Sequence, residues 1–544
     1  MSDIASVVST GRWAPRRLKA RQRFRVSLRS LGGPVLLLGA WQLLAGVGAL
    51  GRYALPTPTA VLVTAWRDGF YLQDAATTLG EAARGWLFGN LAAFALASIC
   101  AFVRPARQLM LRLAVATYCI PTIAIGPLLV LLVSLDSTKV VLAALSVFFT
   151  SLVALMLGLD SADPRQLDLI HAYGGGRWMA LRKVRLRAAV PAAFSGLSLA
   201  APAALLGAMV GDYLGGHRGL GVVMLQAQAS LHVSRVWAVG LTATAISGAA
   251  FACTSLLGRR LTGGLTVGSL DGGAGASVRA VRRRGPQVTL ALVRRAASLL
   301  TTLLALVGLW WAAVTVLGLD PYYAKTPLTV FHGLSSSHLE GTTGSSLLAG
   351  ARTTLTDAAL GYLAGTLVAV MLAGAVIASA TARSMTMPVI VMLRAVPLVA
   401  MTPLLALICG RGTVLIATVA AVVVLVPTVV TVTAGLANVP ATATDLFRAY
   451  GGGRWIALRK LQLPYAIPAL FASARVAMPG AVLGAVLAEW LLTDSGLGHL
   501  MAVSVINSDF TLLWGALAAA TAISIVLYHL TSEGEELTLR RIRQ

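Results

Sequence analysis

The chain has 544 residues, of which 57% are hydrophobic and only 12% charged, with a mean hydropathy of +0.80. Soluble domains carry about 25% charged residues, so this chain cannot cover itself with a polar surface, and a soluble enzyme is excluded. The net charge of +24 has to be interpreted by its placement before it is taken as a nucleic-acid signal.

The chain opens with a basic arm, in which Arg16, Arg17, Lys19, Arg21, Arg23, Arg25 and Arg29 precede the first apolar run. No small-residue cleavage site follows that run, so an uncleaved span is expected rather than a signal peptide. At about 20 helical residues per crossing, spans are predicted near 33–50, 76–102, 109–133, 140–160, 188–213 and 236–257. A second set follows near 297–318, 354–379, 386–409, 413–436, 466–492 and 511–530. Lys and Arg crowd alternate connections between these runs, which places both termini in the cytoplasm by the positive-inside rule. The basic excess therefore orients the chain in lipid, and no nucleic-acid partner is implied.

Between the two sets lies a Gly-rich stretch flanked by Arg259, Arg260, Arg279, Arg282, Arg283, Arg284, Arg294 and Arg295. It is expected to be a flexible cytoplasmic connector facing an anionic leaflet. The predicted organisation is a basic arm over 1–30, a six-span unit over 31–262, a linker over 263–290 and a second six-span unit over 291–544. Cys100, Cys119, Cys253 and Cys409 fall within apolar runs without CxxC spacing, so neither a disulfide framework nor a zinc site is suggested. The His residues show no ligand spacing within a span, and no metal site is expected.

The two sets are copies. The stretch Asp168–Lys183 returns at Asp445–Lys460 and differs only at Ile170/Phe447, His171/Arg448 and Met179/Ile456. The register continues through Pro191/Pro468, Pro202/Pro479, Gly207/Gly484 and Gly219-Leu220-Gly221/Gly496-Leu497-Gly498, and upstream through Thr78/Thr354, Pro121/Pro397 and Pro127/Pro403. An even number of spans separates equivalent points, so both copies share one orientation. The expected fold is an all-α integral membrane protein of twelve spans, its two tandem halves related by a pseudo-two-fold axis along the membrane normal.

The repeated stretch lies between spans four and five of each half, on the cytoplasmic side. Pro164 or Pro440 starts a short helix in which Leu169 and Tyr173, or Leu446 and Tyr450, are four residues apart, with Ile170 or Phe447 beside them. Gly174-Gly175-Gly176 and Gly451-Gly452-Gly453 then stop the helix and reverse the chain. A short helix with apolar and aromatic anchors, kept nearly identical in two divergent halves, has the character of a docking peg for a paired partner.

This element resembles the cytoplasmic coupling helix of ABC importer permeases, in which an acidic residue is followed by a Gly and then by an apolar-x-Leu-Pro. The second copy fits from Asp445 through Gly451 to Leu461-Gln462-Leu463-Pro464; in the first, Asp168 and Gly174 fit and Arg187 replaces the final Pro. The chain is most similar to the nitrate/sulfonate/taurine-type group, with Leu55-Pro56-Thr57-Pro58 after span one and Ala488-Glu489-Trp490 before Ser495-Gly496-Leu497-Gly498. The resemblance implies a bacterial inner-membrane permease, usually a dimer of six-span chains, here fused. It implies two separate ATPase subunits on the cytoplasmic face, which bind ATP and Mg, and an external binding protein that delivers a small solute. This chain itself has no GxxxxGK[ST], and none of Lys19, Lys139, Lys183, Lys325 and Lys460 follows a Gly, so no ATPase site, cofactor or catalytic residue is expected in it.

Four acids pair by register: Glu81 with Asp357 near the outer end of spans two and eight, and Asp212 with Glu489 near the outer end of spans five and eleven. They are candidates to gate the pathway or receive the binding protein, or else are interfacial groups bathed in water. Arg84 and Arg475 lie inside spans, where a charge usually has a partner or a cavity. Arg475 is about 21 Å from Glu489 along a helix, where it could attract an anionic solute or form a structural ion pair. Pro121 and Pro397 are expected to kink spans three and nine, with lining of the pathway as the alternative. The competing class, a twelve-span secondary transporter of the major facilitator type, leaves the repeated peg without a role.

Overall fold

The computed structural model describes residues 32, 34–47, 55–102, 104–262, 288–336, 343–395, 398–437, 439, 441–451 and 453–543. Pro397, Gly452, the predicted arm over 1–30 and residues 263–287 of the predicted linker lie outside the described residues.

Lipid offers no hydrogen bonds, so each apolar run satisfies its backbone internally as a helix. The first half comprises α1 (Pro34–Val47), α2 (Pro58–Arg67), α3 (Leu72–Phe102), α4 (Arg104–Cys119), α5 (Thr122–Leu132) and α6 (Leu135–Asp160). It continues with α7 (Pro164–Ala172), α8 (Arg177–Ala180), α9 (Leu186–Tyr213), α10 (Leu220–Ala229) and α11 (Val233–Leu261). The second half repeats the order: α12 (Val288–Val316), α13 (Pro327–Ser336), α14 (Thr343–Ala378), α15 (Ala380–Ala395), α16 (Leu398–Cys409) and α17 (Thr413–Ala437). It ends with α18 (Ala441–Ala449), α19 (Arg454–Ala457), α20 (Leu463–Leu492), α21 (Gly496–Ile506) and α22 (Phe510–Arg543). Among the described residues nine helices are long and apolar enough to cross a membrane, ten when the bent pair α4–α5 counts as one span. Helix α1 and the pair α15 and α16 fall at the other two predicted spans.

Each half is built on a tight three-helix stack. Helix α3 packs on α6 and α6 on α9; α14 packs on α17 and α17 on α20. Small residues make this close approach possible, as is usual between membrane helices. A Cβ added at Gly89 would lie 2.6 Å from the Ala144 carbonyl oxygen, and one at Gly365 would lie 2.6 Å from that of Ala421. Gly85 and Gly361, one turn away, meet Ala143 and Ala420 in the same manner.

The repeat extends into the first spans, where the sequence register is not obvious. Trp41 Nε1 donates to the Pro56 carbonyl (3.1 Å), and Trp310 Nε1 donates to that of Lys325 (3.0 Å). The Trp41 ring lies 4.9 Å from Trp237, and the Trp310 ring lies 4.9 Å from Trp514.

Span three departs from the predicted form. Pro121 does not kink a continuous helix; the chain turns by 96° between the end of α4 and α5, with Pro121 in extended backbone at the start of α5. This break lets α5 leave its own half: Ala124 and Leu128 are buried in the core of the second half, among Ile416, Val419, Ala481 and Ala485. Reciprocally, Leu404 of α16 is buried in the first half's core with Val236 and Val239 of α11. Helix α4 also reaches across, packing Ala116 and Cys119 on Ile525, and Tyr118 donates its hydroxyl to the Val476 carbonyl at 3.1 Å. The two halves are thus interlocked rather than merely adjacent.

Candidate functional site

At one end of the bundle stand two pegs. Helix α7 begins with Pro164 in its first turn, where a missing N–H is no loss, and the Asp163 carboxylate caps it by accepting from the Arg165 amide at 2.9 Å. Gly174 follows at φ +73°, and Gly451 after α18 at φ +74°, a left-handed geometry that favours glycine. The chain then re-enters the membrane through α8 or α19 and a π-helical turn, Leu181–Arg185 or Leu458–Gln462, which runs directly into α9 or α20. Trp178 stacks on Phe102 with ring centroids 5.7 Å apart and braces the first peg against α3.

On each peg the two predicted anchors face outward: Leu169 is 57% exposed and Tyr173 83%, and their counterparts Leu446 and Tyr450 are 60% and 85% exposed. Ile170 and Phe447 are half-buried beside them, and Asp168 and Asp445 are exposed. Ile170 packs beneath Gly175, where a Cβ would lie 2.6 Å from Ile170 Cγ2. Each peg thus presents a Leu and a Tyr to its surroundings at equivalent positions, and the first is braced against α3.

At the opposite end the four register-paired acids are not bathed in water. Glu81, Asp212, Asp357 and Glu489 are all buried, which overturns the interfacial expectation. In each half a carboxylate near the end of the fifth span ties down the short apolar helix that follows it. Thr78 donates its hydroxyl to Asp212 Oδ2 (2.9 Å) while accepting from the Leu220 amide (2.9 Å), and the Gly221 amide donates to the same Oδ2 (3.2 Å). In the second half Thr354 donates to Glu489 Oε2 (2.8 Å) and accepts from the Leu497 amide (2.9 Å), with the Gly498 amide on Oε2 at 2.9 Å. The repeated Gly-Leu-Gly now has a cause. A Cβ at Gly219 or Gly496 would collide with the carboxylate of Asp212 or Glu489, and both glycines have positive φ (+137° and +93°).

The sequence alone missed Lys139. It lies in the first turns of α6, just before the predicted span 140–160, and its charge reads there as part of a connection. In the structure it is buried, with Nζ 3.1 Å from Glu81 Oε1, 3.0 Å from Asp212 Oδ1 and 3.1 Å from the Arg218 carbonyl. Beside these locks an apolar cluster fills the interface between the halves. Ile123, Leu142, Val210, Tyr213 and Leu214 of the first half meet Leu398, Leu487, Trp490 and Leu491 of the second.

The remaining candidates separate. Arg84 is exposed on α3 among the exposed Leu87, Phe88 and Leu91, and its Nε donates to the Gly80 carbonyl at 3.4 Å. This is the setting of an Arg that reaches along a lipid-facing surface. Arg475 has Nη1 3.4 Å from Glu535 Oε2, so it stands in an ion pair between α20 and α22. A further pair fastens α11 to the α2–α3 turn, where Arg235 Nε donates to Asp68 Oδ2 at 2.8 Å and the Tyr71 hydroxyl donates to the same oxygen at 2.7 Å. The Arg235 hydrogen bond holds the Asp68 carboxyl below the usual carboxylate range; partial burial opposes this and the Tyr71 hydroxyl adds to it.

Comparison with known proteins places this architecture. The family described as "Binding-protein-dependent transport system inner membrane component" matches residues 90–264 and 353–544, one match in each half. A probable ABC transporter permease protein of Haemophilus influenzae is 34% identical over 220 residues, 39% of this chain and 90% of its own length. The riboflavin transport system permease protein of Chloroflexus aurantiacus is 30% identical over 38% of this chain and 80% of its own length. A putative aliphatic sulfonates transport permease protein of Bacillus subtilis is 25% identical over 43% of this chain and 86% of its own length. No solved structure matches the chain significantly. Each relative is nearly spanned by less than half of this chain, as expected of a doubled unit. The chain belongs to the binding-protein-dependent transport system inner membrane components, and is the permease subunit of an ABC importer with two permease units fused in tandem.

Proposed function

We propose that α7 and α18 are the coupling helices through which two separate ATPase subunits drive this permease. What supports it is that two helices related by the internal repeat each hold a Leu and a Tyr out of the protein's own packing. Exposed aromatic and aliphatic side chains on a rigid support are what a groove in a partner protein captures. The peg end then faces the cytoplasm of a bacterial inner membrane with both termini on that side, which agrees with the basic residues crowding the same connections. ATP and Mg belong to the ATPase subunits, since this chain carries no phosphate-binding loop of the Walker type.

The opposite end receives an external binding protein that delivers a small solute. The apolar cluster of Ile123, Leu142, Val210, Leu487 and their neighbours lies across the interface between the halves, so the solute passes only when these side chains separate. Closure of the two ATPases moves the pegs together. Because the chain beyond each peg's glycine turn is unbroken helix from Arg177 or Arg454 into α9 or α20, that motion reaches Val210, Tyr213, Leu487 and Trp490 at the far end. Hydrolysis resets the pegs and brings the cluster back into contact.

Gly174→Asp and Gly451→Asp test the docking role. A Cβ at either position meets nothing within 4 Å, but the left-handed φ strains an Asp there by about 1–2 kcal/mol, so membrane insertion is measured alongside uptake, while the added charge stands where the ATPase approaches. Loss of ATP-driven uptake with normal membrane insertion is expected. Normal uptake together with wild-type recovery of ATPase would refute the role.

A further inference from the structure

The two locks at the far end match group for group except in how their charge is balanced. In the first half, Glu81 and Asp212 share the ammonium of Lys139. Helices α6 and α17 hold the same register against α3 and α14, since Ala143 meets Gly85 as Ala420 meets Gly361. That register puts Ile416, fully buried, at the position of Lys139. The substitution is accommodated on the facing side as well. A Cβ at Gly216 would lie 2.8 Å from Lys139 Nζ, and at the equivalent position the second half carries Thr493.

The acids are nevertheless retained. Asp357 and Glu489 are buried, and one oxygen of each, Asp357 Oδ2 and Glu489 Oε1, has no hydrogen-bond partner. Asp357 stands one helical turn beyond Thr354, the residue that holds Glu489, and faces the Thr413 side chain. The charged and titratable groups at this end of the surrounding elements include Arg352 and Tyr362 on α14, Arg411 before α17, Asp494 and His499 beside the α20–α21 turn, Asp509 before α22, Tyr322, Tyr323 and Lys325 before α13 and His332 on it, while Arg475 of α20 pairs with Glu535. Among the described residues neither Asp357 nor Glu489 forms an ion pair. Asp357 is near enough for its charge to act on Glu489, and two buried carboxylates placed so without a cation resist ionising together.

We propose that the second lock is a proton-binding site, in which Asp357 and Glu489 together hold a proton where the first lock holds the Lys139 ammonium. One half is closed by a fixed cation and the other by an exchangeable one. Alkaline pH therefore loosens α21 from α14 and α20, and leaves the hold on α10 intact. The folded protein binds more protons than the unfolded chain at neutral pH, so its stability falls as pH rises.

The experiment uses the full chain in detergent, with the infrared carbonyl band of protonated carboxylic acid and the thermal midpoint both followed from pH 5 to pH 9. A band present at neutral pH that is lost in the double variant Asp357→Asn with Glu489→Gln, and kept in Glu81→Gln with Asp212→Asn, is expected. The midpoint of the wild type should fall with rising pH, the folding equilibrium changing by about tenfold per pH unit for one proton. Ile416→Lys with Thr493→Gly, which rebuilds the first lock in the second half, should abolish this slope. Absence of the band at neutral pH, or an equal slope in the Asp357→Asn, Glu489→Gln variant, would overturn the proposal. So would a midpoint that rises with sodium over choline at constant pH, because a metal cation would then occupy the site.

Discussion

Replacing Tyr173 and Tyr450 by Ala removes the most exposed aromatic on each peg and leaves the rest of the helix in place. A Tyr side chain offers about 200 Å², and with 83% and 85% of these residues exposed, about 170 Å² is free on each peg. At about 25 cal/mol per Å², complete burial against a partner would be worth about 4 kcal/mol per side chain. Ordering of the side chain and imperfect fit absorb part of this, which leaves about 2 kcal/mol, the scale of an interface hot spot. Each single variant should therefore weaken ATPase binding about 30-fold, and the double variant about a thousandfold. The assay is equilibrium binding of purified ATPase to the reconstituted permease, with uptake measured in the same vesicles. Because the side chains are already outside the packed core, thermal stability should change by no more than about 0.5 kcal/mol. Unchanged affinity in a stable, inserted double variant would refute the docking account of both pegs.

Three further outcomes follow from the far end. Lys139→Met leaves Glu81 and Asp212 buried without their cation, and should cost about 3–5 kcal/mol at neutral pH; an unchanged thermal midpoint would show that the ammonium does not hold the first lock. Gly219→Ala and Gly496→Ala place a Cβ against the lock carboxylate at a positive φ, so each should destabilise by about 2 kcal/mol or more and speed amide exchange in α10 or α21, respectively. Asp68→Asn removes the Arg235 pair. Since that carboxyl is held below its ordinary range, its contribution is present at neutral pH and is lost as pH falls through the lowered value. The difference in midpoint between wild type and variant should be small, about 1 kcal/mol at most for a pair this exposed, and should vanish in acid.

The spans and the duplication were legible in the sequence because lipid imposes both: long apolar runs must be helical, and a copied unit keeps its Gly and Pro positions in register. The pegs were legible for a related reason, since Leu169, Tyr173 and Gly174 recur as Leu446, Tyr450 and Gly451 in halves that otherwise diverge. Three features were hidden. Pro121 signals a kink in sequence, but the 96° turn that sends α5 into the other half depends on contacts with the second half's core. Helices α10 and α21, of 10 and 11 residues, are too short to register as spans. The locks themselves join different helices, with Thr78 134 positions from Asp212 and Lys139 58 from Glu81, so these residues had no local pattern to connect them. What the sequence did carry was the Gly-Leu-Gly, whose physical reason, space for a carboxylate, is visible only when Asp212 and Glu489 are in place.

This single chain holds two permease halves, and we propose that separate ATPases drive it from the two pegs. Reconstitution of the full chain into sealed vesicles with its ATPase and loaded binding protein tests it most directly, with solute uptake followed under ATP alone and under a proton gradient alone. Uptake should require ATP, ATPase and binding protein together, and should be lost when both Tyr173 and Tyr450 are replaced by Ala. Uptake sustained by the proton gradient in vesicles without any ATPase would contradict the proposal.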